Sequence, residues 1–519
     1  MKKIVVIGAG PAGLTAAYEI LEKSKDYEVV VLEESGSFGG ISRTVEHNGN
    51  RMDMGGHRFF SKVPAVNAWW DRLLPRQGSP ARDDRLLGRK CTLAAGGPDP
   101  ETEDRVMLRR HRISRIYFQK KFFDYPVSLK PQTIKNMGLL TTMLVGFSYL
   151  KSCVFKREEK SLEDFYINRF GKKLYSMFFE HYTENLWGRN PREISPEWGA
   201  QRVKGLSITA ILKDIFGKLL HQKNRKVETS LIEEFSYPKL GPGQLWDITA
   251  KRILEMGARI EMNARAVGIK RIVGPEGARV TSVSYEKDGQ IHEESADYVI
   301  SSMPIKDLIA GMNDVPENVS YVAERLPYRD YMTVGVLVPR LNLKNETAFR
   351  TVGNIVPDDW VYVHDRSVKM GRFQVYNNWS PYMVKDLEHT VWVGLEYFCN
   401  EGDRLWKLSD ERFAKGAIRE MVRMKLIDSA SDVLDYHVER VKKAYPAYFD
   451  TYDRIEEVRE FLDSMPNLFC VGRNGQHRYN NIDHSMCTSF EAVKNILSGR
   501  TDKKNVWNVN TEQEYHEDE

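Results

Sequence analysis

Residues 4–7 are an unbroken apolar run, the pattern of a parallel strand covered by helices on both faces. From 12 to 22 apolar positions recur at spacings of three and four, which predicts a helix, and 29–33 reads as a second strand. The chain thus opens β-α-β and then runs as loop to residue 62. Residues 75–105 are rich in Arg, Gly, Pro and Asp with little periodicity, and read as a long surface insertion. Helical spacing dominates 131–225. Short β-rich runs fill 265–300, separated by turns such as Lys287-Asp288-Gly289, and further strands are expected at 332–338, 360–363, 372–376 and 391–397. A strand at 469–472 and a helix over 485–497 complete the pattern, ahead of a polar, frayed tail at 501–519.

One apolar stretch stands apart. Residues 137–150 lie between Lys135 and Lys151, and at 14 residues they are too few to span a bilayer. A buried or interfacial helix is expected there, and no transmembrane span. The first strand begins so early that a signal peptide has no room.

Composition adds limits. A chain of 519 residues, 41% apolar and 29% charged, is an ordinary globular protein with room for two to four domains. The formal charge of +4 comes without a basic run interleaved with aromatics, so nucleic acid is not an expected partner. Cys91, Cys153, Cys399, Cys470 and Cys487 include no CxxC pair. Neither a metal site nor a disulfide framework is indicated, and the pattern fits a reducing compartment, hence a cytoplasmic location.

The first chemistry lies between the first strand and helix, where Gly8-Ala9-Gly10-Pro11-Ala12-Gly13 forms a GxGxxG turn. Gly8 permits the turn, Gly10 lets a pyrophosphate approach the backbone, and Gly13 lets helix and strand pack closely. The helix N-terminus then offers N–H groups to phosphate. Glu33, at the end of the second strand, suits ribose hydroxyls. Gly39, Gly40 and Arg43 follow at once, then Gly55-Gly56-His57-Arg58, and far downstream a strand ends in Gly472-Arg473. Further backbone approaches and arginines suited to pyrophosphate favour FAD over NAD.

These features resemble the flavoprotein group that includes amine oxidases, protoporphyrinogen oxidases and UDP-galactopyranose mutases. The likeness to the mutases, the eukaryotic type above all, extends in patches along most of the chain. Gly55-Gly56-His57-Arg58-Phe59-Phe60-Ser61 is similar to the segment whose His lies against the flavin and whose Phe touches substrate. Phe123-Asp124-Tyr125-Pro126 matches an aromatic-Tyr-Pro segment, and Tyr182-Thr183-Glu184-Asn185-Leu186-Trp187-Gly188 a stretch whose Tyr and Trp meet uridine. Arg202 falls at one diphosphate-binding arginine. Tyr362 and Arg372 have the spacing of the phosphate-binding Tyr and second arginine, and Tyr445-Pro446 resembles a segment near the phosphates. Gly472-Arg473-Asn474-Gly475 and Arg478 to Ser485 look like the C-terminal signature. There the resemblance implies Tyr479 on phosphate, Asn481 on sugar or flavin, and Ile482, Asp483 and Ser485, with Val267 upstream, at the cofactor. Two departures fall on the nucleobase side: Val127-Ser128 stands where eukaryotic mutases carry Gln, and Thr183 where they carry Asn.

The resemblance implies an α/β fold. A Rossmann-type FAD-binding domain would be assembled from residues 1–62, 230–305 and 455–500, with an inserted helical domain over 110–229 and an antiparallel sheet domain over 306–454. It further implies interconversion of pyranose and furanose forms of a nucleoside-diphosphate sugar such as UDP-galactose. Reduced FAD would be the working form, with NAD(P)H a candidate reductant and no net redox. His57, Arg202 and Arg372 would form the catalytic set, the two arginines facing each other across the cleft and stabilising the departing diphosphate. Two alternatives stay open: an oxidoreductase on the same fold, using oxidised FAD as hydride acceptor, and a flavin-binding protein without catalysis. A homo-oligomer is open as well.

Overall fold

The computed structural model describes residues 1–125, 127, 131–196, 234–275 and 277–509. The opening strand β1 (Lys2–Ile7) leads through the glycine turn into α1 (Pro11–Lys23) and β2 (Tyr27–Leu32). β1 pairs in parallel with β2 on one side and with Tyr298–Ser301 on the other; Arg259–Glu261 and Leu468–Cys470 complete a five-stranded parallel sheet at its two edges. Ile4, Val5 and Val6 have no exposed surface, because both faces of the sheet are covered. α1, Gly243–Glu255 and the long helix Ile482–Ser498 lie on one face, where Ser489 Oγ donates to the carbonyl of Ala12 at 2.8 Å. Ile305–Ala310, Glu317–Glu324 and Ile455–Asp463 cover the other face. Segments hundreds of residues apart therefore share one core.

An antiparallel ribbon of Arg265–Gly274, Gly277–Lys287 and Gln290–Ser295 packs beside this sheet. Its tight turn uses positive φ at Asp288 (53°) and Gly289 (74°), as the Lys-Asp-Gly sequence predicts. A second, seven-stranded sheet runs in the order Asp435–Pro446, Tyr328–Val338, Val391–Cys399, Arg372–Val375, Trp360–Val363, Ser114–Phe118, Lys121–Asp124. It is antiparallel except where Trp360–Val363 meets Ser114–Phe118 in parallel. Several element ends differ from the pattern-based reading. Tyr376–Trp379 turns helical and stops its strand at Val375. Gly472–Gly475 does the same after Cys470, and the last long helix begins at Ile482 behind Asn481. Pro131–Met137, Leu139–Val154, Leu162–Phe178 and Glu180–Trp187 supply the expected helical region as far as it is described.

Residues 75–105 run largely at the surface but carry an internal order that the pattern-based reading did not foresee. They contain a helix, Arg82–Leu87, whose Asp83 and Asp84 are buried. Asp83 accepts from Arg110 at 2.7 and 3.1 Å and also from Arg89, and Asp84 accepts from Arg89 at 2.8 Å. Gly78 and Gly97 lie back to back, so that a Cβ on Gly97 would sit 2.3 Å from the carbonyl oxygen of Arg76. The core of this segment is polar, which is why no apolar period marks it.

Breaking a buried ion pair on one side leaves the other charge uncompensated, at a cost of about 3–5 kcal/mol. Asp83→Ala should lower stability by that amount in denaturant titration and open 75–105 to limited proteolysis. Unchanged stability and proteolysis would show that the pair does not anchor the segment.

Candidate active site

A cleft of about 1140 Å³ opens between the C-terminal ends of the parallel strands and the seven-stranded sheet. It exceeds the roughly 300–1,000 Å³ of a usual ligand pocket, which leaves room for a dinucleotide and a further ligand. Gly8, Gly10, Pro11 and Ala12 form its floor at one end. Gly8 has φ +96°. Gly13 is not on the cleft wall; a Cβ there would lie 1.8 Å from the carbonyl oxygen of Gly8, so it serves the packing of α1 on β1. α1 starts with Pro11 behind Gly10 and has no side-chain cap, leaving its first N–H groups to an anion in the cleft. Glu33 accepts from the Ala9 N–H at 2.7 Å and from the Ser35 N–H and hydroxyl at 2.9 and 2.7 Å. Oε1 takes both Ser35 bonds, and Oε2, which accepts from the Ala9 N–H, keeps a lone pair for a ribose hydroxyl.

Gly40 and Gly56 bring two more backbone segments to the wall, beside Arg43 and Val267. A Cβ on Gly40 would lie 3.4 Å from the Cα of Gly10, and one on Gly56 would enter the Trp360 ring at 2.0 Å. Gly39 packs against Trp246 and does not line the cleft. Arg43 pairs with Glu439 at 3.3 Å. From the other end of the chain come Gly472, Arg473, Asn481, Ile482, Asp483 and Ser485. Arg473 donates to the carbonyls of Asn480 (2.7 and 3.1 Å) and Ala444 (3.0 Å) and lies over the Tyr479 ring. The bare glycine surfaces, the uncapped helix and Glu33 fit an FAD. So do two buried polar atoms on the wall that have no hydrogen-bond partner among the described residues, Tyr331 Oη and Trp360 Nε1.

His57 lines the cleft. Its Nε2 lies 2.8 Å from the Ile41 carbonyl and 3.0 Å from that of Met54, so Nε2 carries the proton. Burial, with the Arg473 charge in second place, pushes its pKa down to about 4. The ring is neutral at physiological pH, with Nδ1 as an acceptor.

Arg372 anchors the far wall, with Phe60, Tyr445 and Tyr479 nearby on the lining. Its Nη2 donates to the Tyr445 hydroxyl at 2.7 Å, and its guanidinium stacks on Trp360 and Phe398 at 4.7 and 4.8 Å. Beneath it lies Glu396, fully buried, bonded to Arg372 at 2.5 and 2.7 Å and to Gln374 at 2.7 Å. Burial works against the Arg372 charge, but Glu396 overrides it and holds the pKa well above its ordinary value. Sequence reasoning missed Glu396. Its signal was a single carboxylate within the otherwise apolar strand Val391–Cys399, a placement that calls for a partner. Arg58 was missed too; it bonds Asp359 at 3.2 Å and Ser114 at 2.8 Å while lining the cleft.

The other expected substrate residues divide. Tyr362 stacks on Tyr125 at 4.4 Å and meets Tyr182 edge-on at 5.7 Å, and these rings extend from Trp360 as an aromatic shelf behind the lining. Trp187 does not join them. Five positions beyond Tyr182 on the same helix, it faces another side and lies in the core against Phe449. Arg202 and Ser128 lie outside the described residues, so no facing pair of Arg202 and Arg372 is described.

Known proteins with this architecture bear on the site. A mitochondrial protoporphyrinogen oxidase of Nicotiana tabacum is 22% identical over 500 residues, 91% of this chain and 90% of that protein. A chloroplastic/mitochondrial protoporphyrinogen oxidase 2 of Arabidopsis thaliana is 20% identical, with the same shares covered. Among solved structures, a reduced UDP-galactopyranose mutase superposes with a TM-score of 0.75 at 19% identity, covering 99% of this chain and all of that one. A putrescine oxidase gives 0.55 at 14% identity, covering 96% and 99%. The family described as flavin containing amine oxidoreductase matches residues 11–481. The chain thus belongs to that family, the FAD-dependent flavoenzymes of the amine oxidase group.

Proposed function

We propose that this flavoenzyme acts on a nucleoside-diphosphate sugar, interconverting its pyranose and furanose forms with FAD in the reduced state. The observation that carries the reading is Arg372, held by Glu396 and Tyr445 on the wall of the cleft that the neutral His57 also lines. A guanidinium so fixed presents its free N–H edge to a diphosphate without having to order itself. Tyr445 and Tyr479 lie parallel, ring centroids 6.2 Å apart, and add hydroxyls to the same wall. The nucleotide base would extend toward the shelf of Tyr125, Tyr182 and Tyr362. The uncapped start of α1 would hold the FAD pyrophosphate, and Glu33 its ribose.

The chemistry at the sugar belongs to the bound reduced flavin, and the protein supplies orientation and electrostatics. Neutral His57, locked by two carbonyls, offers Nδ1 as a hydrogen-bond acceptor. Arg372 stabilises the charge that develops on the departing phosphate oxygen.

A second reading is an oxidoreductase that uses oxidised flavin as hydride acceptor. It is favoured by the curated relatives, which are protoporphyrinogen oxidases, and by Glu396, which already neutralises Arg372.

Titrating UDP into the protein tests the choice. UDP should perturb the flavin spectrum in both redox states, more weakly at high salt because charge interactions are screened. No perturbation in either state would reject the nucleotide-sugar reading. Arg372→Ala should abolish the UDP response while FAD stays bound; loss of FAD or an unchanged response would refute its role. Glu396→Gln removes the neutralising charge and should tighten UDP binding about tenfold, equivalent to about 1.4 kcal/mol. Weaker binding in that variant would mean that Glu396 serves to position Arg372 rather than to limit its charge.

A further inference from the structure

The helix Leu139–Val154 turns its apolar side outward. Only Val145, Tyr149 and Ser152 are buried, on the side facing Leu162–Phe178. Close approach there depends on Gly171, where a Cβ would lie 2.8 Å from the backbone of Ser148 and Tyr149. The opposite side carries Leu140, Met143, Leu144, Phe147, Leu150 and Val154, all exposed, with Phe147 at 70% and Val154 at 73%. Their spacing of three and four makes one continuous stripe, a patch of the kind that marks an interaction surface.

Charge indicates the occupant. Between Asp124 and Glu158 the chain carries Lys130, Lys135, Lys151, Lys156 and Arg157 and no Asp or Glu; Arg157 is paired with Asp164 at 3.2 Å and Lys156 donates to the Asn168 carbonyl, which leaves the lysines nearer the helix for a ligand. Lys135 and Lys151 are exposed and have no carboxylate partner among the described residues. Lys121 donates to the Asn136 carbonyl at 3.0 Å and so brings the basic turn at Lys120 to the same end of the helix. A second copy docking through this face would bring like charges together across the two-fold axis. Anionic lipid headgroups would meet complementary charge. At 16 residues the helix is about 24 Å long, short of the roughly 30 Å needed to cross a bilayer. No helix among the described residues is long and apolar enough to do so.

We propose that Leu139–Val154 lies in the plane of an anionic phospholipid surface. Its apolar stripe enters the headgroup–acyl boundary while the flanking lysines meet phosphate. The protein is thereby a peripheral membrane enzyme whose cleft works beside a bilayer.

Co-sedimentation of the full-length FAD-loaded protein with vesicles tests this. Vesicles of mixed phosphatidylglycerol and phosphatidylcholine should bind the protein, and phosphatidylcholine alone should bind it weakly. Phe147→Glu/Leu150→Glu should lose at least about tenfold in apparent affinity while keeping its flavin spectrum, because both side chains are exposed. Lys135→Glu/Lys151→Glu should erase the preference for anionic lipid. Failure to sediment with either vesicle, or equal binding by the apolar-face variant, would overturn the proposal. So would a vesicle-free dimer that Phe147→Glu/Leu150→Glu makes monomeric, which would assign the face to a second copy.

Discussion

The first turn of α1 has no side-chain cap and points into the cleft, so the fold leaves a positive helix end that an anion must satisfy. Everything nearby is arranged to let a ligand reach it. Gly13 draws α1 down onto β1, Glu33 ties the turn through the Ala9 N–H, Gly40 lets its segment approach Gly10, and Gly56 makes room for the Trp360 ring. Segments from both ends of the chain must come together for the cradle to exist, and the five-stranded sheet with Ile482–Ser498 packed on α1 achieves that. The parallel topology and the glycine-lined cradle thus rest on the same local constraint.

The other wall is governed by a buried charge pair. Taking Arg372 out of water is costly unless it is paired, and Glu396 with Tyr445 and Gln374 completes its environment. This gives a rigid guanidinium aimed at the cleft, and also one whose charge is already balanced. Which consequence dominates decides between recognition of a diphosphate and hydride transfer from a less anionic substrate. The neutral state of His57 is compatible with both, since burial alone largely determines it.

The flavin side was legible in the sequence because its signals are local. A glycine turn between a strand and a helix, an acidic residue at the next strand end and a Gly-Arg after a late strand can each be read within a few residues. The substrate wall was less legible. Arg372, Tyr445 and Tyr479 meet only through the seven-stranded sheet, so family resemblance points to them where spacing alone is silent. Glu396 escaped notice because a single carboxylate in an otherwise apolar strand does not say which partner it meets across the sheet. Trp187 was drawn to the site by a motif, yet its position on the helix, on a different side from Tyr182, places it in the core. The segment 75–105 hid its order because Asp83, Asp84, Arg89 and Arg110, rather than apolar residues, fill its interior.

The most direct measurement is to incubate the anaerobically reduced, FAD-loaded protein with UDP-galactopyranose and separate the products. The expected product is UDP-galactofuranose, formed catalytically with no change in flavin redox state. Absence of the furanose, together with bleaching of the oxidised flavin by a porphyrinogen, would contradict the nucleotide-sugar reading and assign the chain to hydride transfer.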